Sequence, residues 1–393
     1  MPLATRTLLI SIGLLLTGHG IQLTLLPLYA NFLGWSKEII SLTGASYFAG
    51  FMFGSLVIPR LLTKAGFIRV FLTFSALMAI VILSLGMFQN VFAWLILRFL
   101  TGLSIVAIFL TAESWLNASA VAKHRGRILS YYALVSLLGV GLGQTLAGLL
   151  SFEDLLQVCA IIMLLSLFPI GLFCSEEPAS PEFVRARWAD LNEIPAFVVI
   201  AIVLSAIMCG SIWSVAPLFG QERGLNNWEI SLMMNAIVFG GVLFQIPLGI
   251  LSDKYDRKMV LSIVVLGCLL AVAAIPSAED MAFLGLCFVF GGLSLTQYVL
   301  CAAFANEQST LSKVKTASLV LMLNGTGSIA GPLFVALISI HMDNALLIVC
   351  GSSMILLLIT SSCMRGTTPR ATILPLPRRY RRRTIHKDQS LAA

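Results

Sequence analysis

Apolar residues gather along this chain into twelve blocks separated by short polar connectors. The blocks cover 7–32, 39–62, 70–88, 91–116, 128–150, 155–174, 194–219, 228–251, 259–275, 281–305, 316–340 and 345–364. A bilayer span needs about 20 apolar residues, so each block predicts one membrane-crossing α-helix. The first block resembles a secretory signal peptide, but no small-x-small cleavage site follows it, so it counts as a helix. The longest polar connector is 175–193, and a basic segment, 365–393, follows the last block. The expected organisation is a six-helix bundle over 1–174, a linker over 175–193, a second six-helix bundle over 194–364 and a basic tail over 365–393.

Composition agrees with an all-α membrane protein of twelve transmembrane helices. Of the 393 residues 58% are apolar and 11% charged, with a mean hydropathy of +0.96. Soluble chains carry about 25% charge, and a soluble fold of this size could not bury so much apolar surface. That excludes a cytosolic enzyme and a nucleic-acid binder. The eight cysteines lie in or beside apolar blocks without a Cys-x-x-Cys pair and read as core or lipid-facing residues. The four histidines are far apart, so no metal motif is formed.

Charge sets the orientation. With the N-terminus inside, all but three of the 25 Lys and Arg residues fall on inner segments; the exceptions are Lys37, Arg98 and Arg223. Both termini are therefore expected in the cytoplasm. The net charge of +7 then reflects topology and attraction to anionic lipid.

The two halves repeat. At an offset of 190, Pro27 matches Pro217, Gly34 matches Gly224, Gly50 matches Gly240 and Gly102 matches Gly292; at 188, Gly139 and Gly143 match Gly327 and Gly331. Six helices per half give both halves one orientation, hence a parallel repeat about an axis along the membrane normal.

Polar side chains inside a bilayer are costly and mark cavities or partner helices. Block one holds His19 and Gln22, block two Tyr47, block four Arg98 and Glu113, block five Gln144, and block seven Trp213. Block eight holds Asn235 and Gln245, block ten Gln297 and Tyr298, and block eleven Asn324. Blocks three, six, nine and twelve have almost none, which predicts a lipid-like outer position. His19 and Gln22 share a helix face. Arg98 and Glu113 are 15 residues apart, roughly 22 Å along a helix, too far for an ion pair. Arg98 reads either as a snorkelling or carbonyl-satisfying residue or as a substrate or coupling site. His19 reads either as a packed histidine or as a coupling group, and Glu113 as an inner-gate partner of Arg125 and Arg127. Gln144, Gln245 and Asn324 read as interhelical glue.

Two motifs carry a resemblance. Gly249-Ile-Leu-Ser-Asp253-Lys254-Tyr-Asp256-Arg257-Lys258 is similar to the inner-loop motif of Major Facilitator Superfamily transporters, with Asp256 in a glycine slot. In the first copy Pro59 and Thr63 replace Gly and Asp. Arg98-Phe-Leu-Thr-Gly102 is similar to the helix-four motif of the same family, while Gly143-Gln144 departs from the Gly-Pro of drug/proton antiporters. Ser46 to Gly50, Ala112-Glu113-Ser114 and Arg125-Gly126-Arg127 resemble the YcaD-type branch of small bacterial carriers.

The resemblance implies two pseudo-symmetric six-helix bundles and a monomeric secondary transporter in a bacterial inner membrane. It would move a small solute by alternating access, with protons as candidate coupling ion through His19 or Glu113. Helices one, four, seven and ten would line a cavity, carrying His19, Arg98, Trp213 and Gln297, with Gln22, Tyr47, Tyr298 and Asn324 as further cavity candidates. His19 and Arg98 favour an anionic or zwitterionic solute. Asp253, with Lys254 and Arg257 beside it, would meet the basic start of helix five, Arg125 and Arg127, as a gate. No Walker sequence is present, so neither ATP nor another cofactor is implied, and no His-Glu-x-x-His or Gly-x-Ser-x-Gly supports an enzyme. The alternatives are a multidrug/proton antiporter and a non-transporting membrane receptor.

Overall fold

The computed structural model describes residues 3–119, 125–174, 177–178 and 188–363, with the side chains of Arg125, Glu153, Trp188, Ala189, Lys313 and Val314 outside that description. The tail expected over 365–393 also lies outside the described residues. The first half is built from α1 (Leu3–Phe32), α2 (Lys37–Ala65), α3 (Phe67–Met87), α4 (Val91–Ser119), α5 (Arg125–Leu149), α6 (Phe152–Leu165) and α7 (Leu167–Phe173). The second half follows as α8 (Ala196–Glu222), α9 (Asn227–Lys254), α10 (Arg257–Ala274), α11 (Asp280–Gln308), α12 (Lys313–Ser339) and α13 (Ala345–Cys363), with short 3-10 turns at Trp188–Glu193 and Ile275–Ser277. Among the described residues there is no strand, and twelve segments are long and apolar enough to cross a membrane.

Block six is the one span that breaks. Its helix stops at Leu165 and restarts at Leu167. Pro169 has no N–H for the carbonyl four residues back. The Ser166 hydroxyl folds onto the Met163 carbonyl at 2.6 Å, and its amide bonds Ile162 at 3.2 Å.

The repeat is written into the backbone. After α1, Leu33, Gly34 and Trp35 donate to Tyr29, Asn31 and Ala30; after α8, Arg223, Gly224 and Leu225 donate to Phe219, Gln221 and Gly220, each 190 residues on. Gly34 and Gly224 both take φ +80 there, a left-handed conformation that glycine adopts without strain. A Cβ on Gly143 would overlap the Thr17 carbonyl, and one on Gly331 the Ile207 carbonyl. One register differs from expectation. Gly102 lies against the Tyr47 carbonyl, and the residue against the matching Ile237 carbonyl is Gly291, not Gly292. The offset between α4 and α11 is therefore 189.

Helices α1, α2 and α5 meet α8, α9 and α12 across the interface, while α3, α6, α10 and α13 pack mainly on helices of their own bundle. Leu3 and Cys363 mark one face of the molecule, the terminal face. At the opposite face the bundles are tied together. Lys37 pairs with Glu222 at 2.9 Å, Asn31 donates to Gln221 at 3.0 Å, and Ser339 donates to Glu38 at 3.3 Å. Asn31 and Gln221 are themselves 190 apart, so this bond joins equivalent positions on the pseudo-two-fold axis. Deeper in, Asn235 donates to Thr145 at 3.2 Å.

Candidate functional site

A cavity of about 340 Å³ lies between the bundles. The first bundle contributes His19 and Leu23 from α1, Tyr47, Phe48 and Phe51 from α2, Phe109 from α4 and Val140 from α5. The second contributes Cys209 and Trp213 from α8, Leu295 and Tyr298 from α11, and Asn324 and Ser328 from α12. Four pairs are repeat equivalents: His19 with Cys209, Leu23 with Trp213, Phe109 with Tyr298, and Val140 with Ser328. The pseudo-symmetry axis therefore runs through the cavity, and both bundles shape it with matched positions.

A buried polar cluster begins at the wall of the first bundle, with His19 and Tyr47, and continues behind it to Gln22 and Arg98. Tyr47 and His19 stack at 6.3 Å between ring centroids with 21° between planes. The Arg98 guanidinium carbon lies 4.8 Å from the Tyr47 ring centroid. Arg98 is 4% exposed and Gln22 1%. Nε and Nη1 of Arg98, Nδ1 of His19 and Nε2 of Gln22 have no hydrogen-bond partner. The Arg-x-x-x-Gly spacing explains the placement. Gly102 lets the α2 backbone press against α4, and Arg98, one turn away, reaches the side chain of the same Tyr47 whose carbonyl Gly102 contacts.

Other expected residues lie elsewhere. Gln297 is buried inside the second bundle, accepting from Ser205 at 3.0 Å and touching the Met354 sulfur at 3.4 Å. It and Arg98 are off the cavity wall, although α4 and α11 reach the wall through Phe109 and Tyr298. Gln144 is fully buried with both amide atoms unpartnered, and Gln245 is exposed. Among the described residues neither gives the interhelical bond expected of it, whereas Asn235 does. Sequence reasoning missed Phe48, Phe51 and Phe109, which look like ordinary apolar filling. The 189 offset from Tyr298 points to Phe109.

At the terminal face, Glu113 is exposed and hydrogen-bonded by Tyr132 of α5, and among the described residues it forms no ion pair. Arg127 and Lys254 are exposed, and the Arg125 side chain lies outside the described residues. Asp253 turns to Arg257 at 2.8 Å, and Arg257 also binds Glu307 at 2.6 Å. Asp253 is thus engaged within its own bundle, and its expected contact with Arg125 lies outside the described residues. Arg257 stands four residues on along the chain, and the pair forms without bringing two bundles together.

A family model of the Major Facilitator Superfamily matches residues 8–197 and again 198–389. The uncharacterized MFS-type transporter YcaD of Escherichia fergusonii is 29% identical over 368 residues, covering 90% of this chain and 94% of its own. The protein of that name from Escherichia coli is 29% identical over 373 residues, covering 91% and 95%. Among solved structures, the nucleoside transporter NupG aligns with a TM-score of 0.73 at 16% identity, over 93% of this chain and all of its own. A bacterial homolog of the human lysosomal transporter Spinster, inward-facing and unoccupied, aligns with a TM-score of 0.73 at 13% identity, over 91% and 94%. These structures share the fold. Matched in both halves by the family model and along nine-tenths of its length by YcaD-type relatives, the chain belongs to the Major Facilitator Superfamily of multi-pass membrane transporters.

Proposed function

We propose that this protein is a secondary transporter that moves a small solute through the central cavity by alternating access. The observation that carries the reading is the cavity itself, built by repeat-equivalent residues of both bundles and tied shut at one face by Lys37–Glu222, Asn31–Gln221 and Ser339–Glu38. Loop charge supports cytoplasmic termini in a bacterial inner membrane, which makes the tied face external and this conformation inward-facing. Rocking of the bundles about the axis would break the three contacts and open the cavity outward. His19 on the wall and Glu113 at the terminal face are the candidate proton carriers, since ionisable groups within spans serve as relays. The solute contacts proposed from the wall are His19, Tyr47, Trp213, Tyr298 and Asn324.

The test is flux. Proteoliposomes loaded with a metabolite extract and assayed by mass spectrometry should exchange at least one solute faster than empty liposomes. A disulfide between Asn31→Cys and Gln221→Cys should stop that exchange, and reduction should restore it. Exchange that continues with the disulfide formed excludes rocking at this face.

A further inference from the structure

We propose that Arg98, screened from the cavity by Tyr47, is an anion subsite, and that the solute is an organic carboxylate with an apolar body. This rests on the transport reading and names the substrate class of the same cavity.

The first argument is the missing counter-charge. A guanidinium stays protonated and in a span is held by a carboxylate or by carbonyls. Among the described residues no carboxylate pairs with Arg98, and Nε and Nη1 meet no acceptor. Glu113, the other charge on α4, is roughly 22 Å away along the helix and is bound by Tyr132. Among the described residues the partner shown for the Arg98 charge is the face of the Tyr47 ring, weaker than a carboxylate.

The second argument is that the fold does not need this cation. In the second bundle the equivalents of Gln22, Tyr47 and Arg98 are Ile212, Ile237 and Cys287, and these line a small apolar void of about 20 Å³. The same backbone packing, with Gly291 against Ile237 as Gly102 is against Tyr47, forms there without charge. Arg98 is therefore not a packing requirement of the repeat.

The third argument is donor chemistry. Arg98 and Gln22 hold orphan N–H groups, which want an acceptor-only partner, and a carboxylate accepts two parallel bonds from a guanidinium. Phe48, Phe51, Phe109 and Leu295 give the remaining cavity an apolar and aromatic wall for the body of the solute. Occupancy exchanges the Tyr47 ring for the carboxylate over the guanidinium, with the ring turning into the cavity. Empty, the ring keeps the cation out of contact with small inorganic anions.

The experiment compares naphthoate with naphthamide, alike in shape but not in charge, and with inorganic phosphate. Binding is read on the full-length protein in nanodiscs by melting temperature and tryptophan fluorescence. Naphthoate should bind at least tenfold tighter than naphthamide, and phosphate should not stabilise the protein. Arg98→Gln should remove the preference for the acid, and Arg98→Lys should keep part of it because one charge without the fork remains. Tyr47→Leu removes the competing ring and should widen the preference for naphthoate over naphthamide severalfold, which keeps the test decisive if Arg98→Gln does not fold. Equal binding of acid and amide, binding of neither, or an acid preference that survives Arg98→Gln overturns the proposal. Flux of neutral solutes that ignores Arg98 sinks the anion subsite alone. Arg98-dependent naphthoate binding in a protein without flux sinks the transport reading alone.

Discussion

The two bundles share their backbone contacts and differ in what they bury. Around α1, α2 and α4 the first bundle places His19, Gln22, Tyr47 and Arg98, all under a tenth exposed. At the same places the second has Cys209, Ile212, Ile237 and Cys287. At three of the four matched positions on the cavity wall the exchange runs the other way. There the second bundle offers Trp213, Tyr298 and Ser328 where the first offers Leu23, Phe109 and Val140. Close helix contacts at glycine are therefore the conserved part of the repeat, because a Cβ at those points strikes backbone of a neighbour. Side chains near the axis are free to diverge. One bundle holds the buried cation, and the other supplies neutral hydrogen-bonding groups at the cavity surface. A solute held between them would meet a different chemistry on each side.

The largest expected effect tests that asymmetry. Arg98→Ala should lower solute exchange to the background of empty liposomes, a loss of about a hundredfold or more, with folded yield preserved. Cys287→Ala, at the mirror position, should leave exchange within about twofold, since a buried cysteine acts as a small apolar residue. Equal losses in the two variants would mean that both sites serve packing only.

Next in size is the shared glycine contact. Gly102→Ala drives a methyl into the Tyr47 carbonyl and Gly291→Ala into that of Ile237. Overpacking of this kind costs about 1–3 kcal/mol, and both variants should melt lower by similar amounts. Gly102→Ala should in addition impair exchange, because it shifts the helix that carries Tyr47. Gly249 has nothing within 4 Å of an added Cβ, so Gly249→Ala should be neutral or gain up to about 1 kcal/mol from helix propensity. A thermal melt of the three proteins in one detergent checks the order.

Much of this was legible in the sequence. The bilayer forces apolar blocks of fixed length, so the twelve spans could be counted, and an intramembrane Arg, His or Tyr stands out by its desolvation penalty. Depth along a helix is readable from residue number; angle around it is not. Arg98, Gln22 and Gln297 share the depth of the cavity, yet they face bundle interiors, whereas Phe48 and Phe51 face the cavity and look like lipid contacts. The register slip between Gly291 and Gly292 arose because two adjacent glycines satisfy either offset. Asp253 has Arg257 within reach at i+4 on the same chain segment, a partner that sequence spacing alone offers.

The tied face offers a smaller effect. Lys37 and Glu222 are 37% and 30% exposed, so their ion pair is worth only about 0–1 kcal/mol. Its repeat equivalents, Asn227 and Phe32, carry no charge, so a single pair biases the opening. Glu222→Gln should raise labelling of a cysteine at Leu23 by an external, membrane-impermeant reagent up to about fivefold. Asn31→Ala removes a neutral bond and should do less. No change in either variant would place the closing force in the apolar contacts between the bundles.

The smallest effect concerns how each bundle caps the helix after its loop motif. In the second bundle the cap is local: the Asp256 carboxylate accepts from the Met259 amide at 2.8 Å at the start of α10. In the first bundle the equivalent residue is Gly66, held at φ +84, which has no side chain to offer. A carboxylate comes instead from the linker, where Glu177 accepts from the Ile68 amide at 2.8 Å at the start of α3. An added Cβ at Gly66 would collide with that carboxylate. A negative group at a helix N-terminus stabilises it by about 0.3–1 kcal/mol, so Asp256→Ala and Glu177→Ala should each lower the melting temperature by a degree or two. The two should separate under limited proteolysis. Glu177 also fastens the linker to the first bundle, so Glu177→Ala should speed cleavage within 175–193, whereas Asp256→Ala should leave that rate at the wild-type value. Identical cleavage rates in the two variants would show that Glu177 caps α3 without restraining the linker.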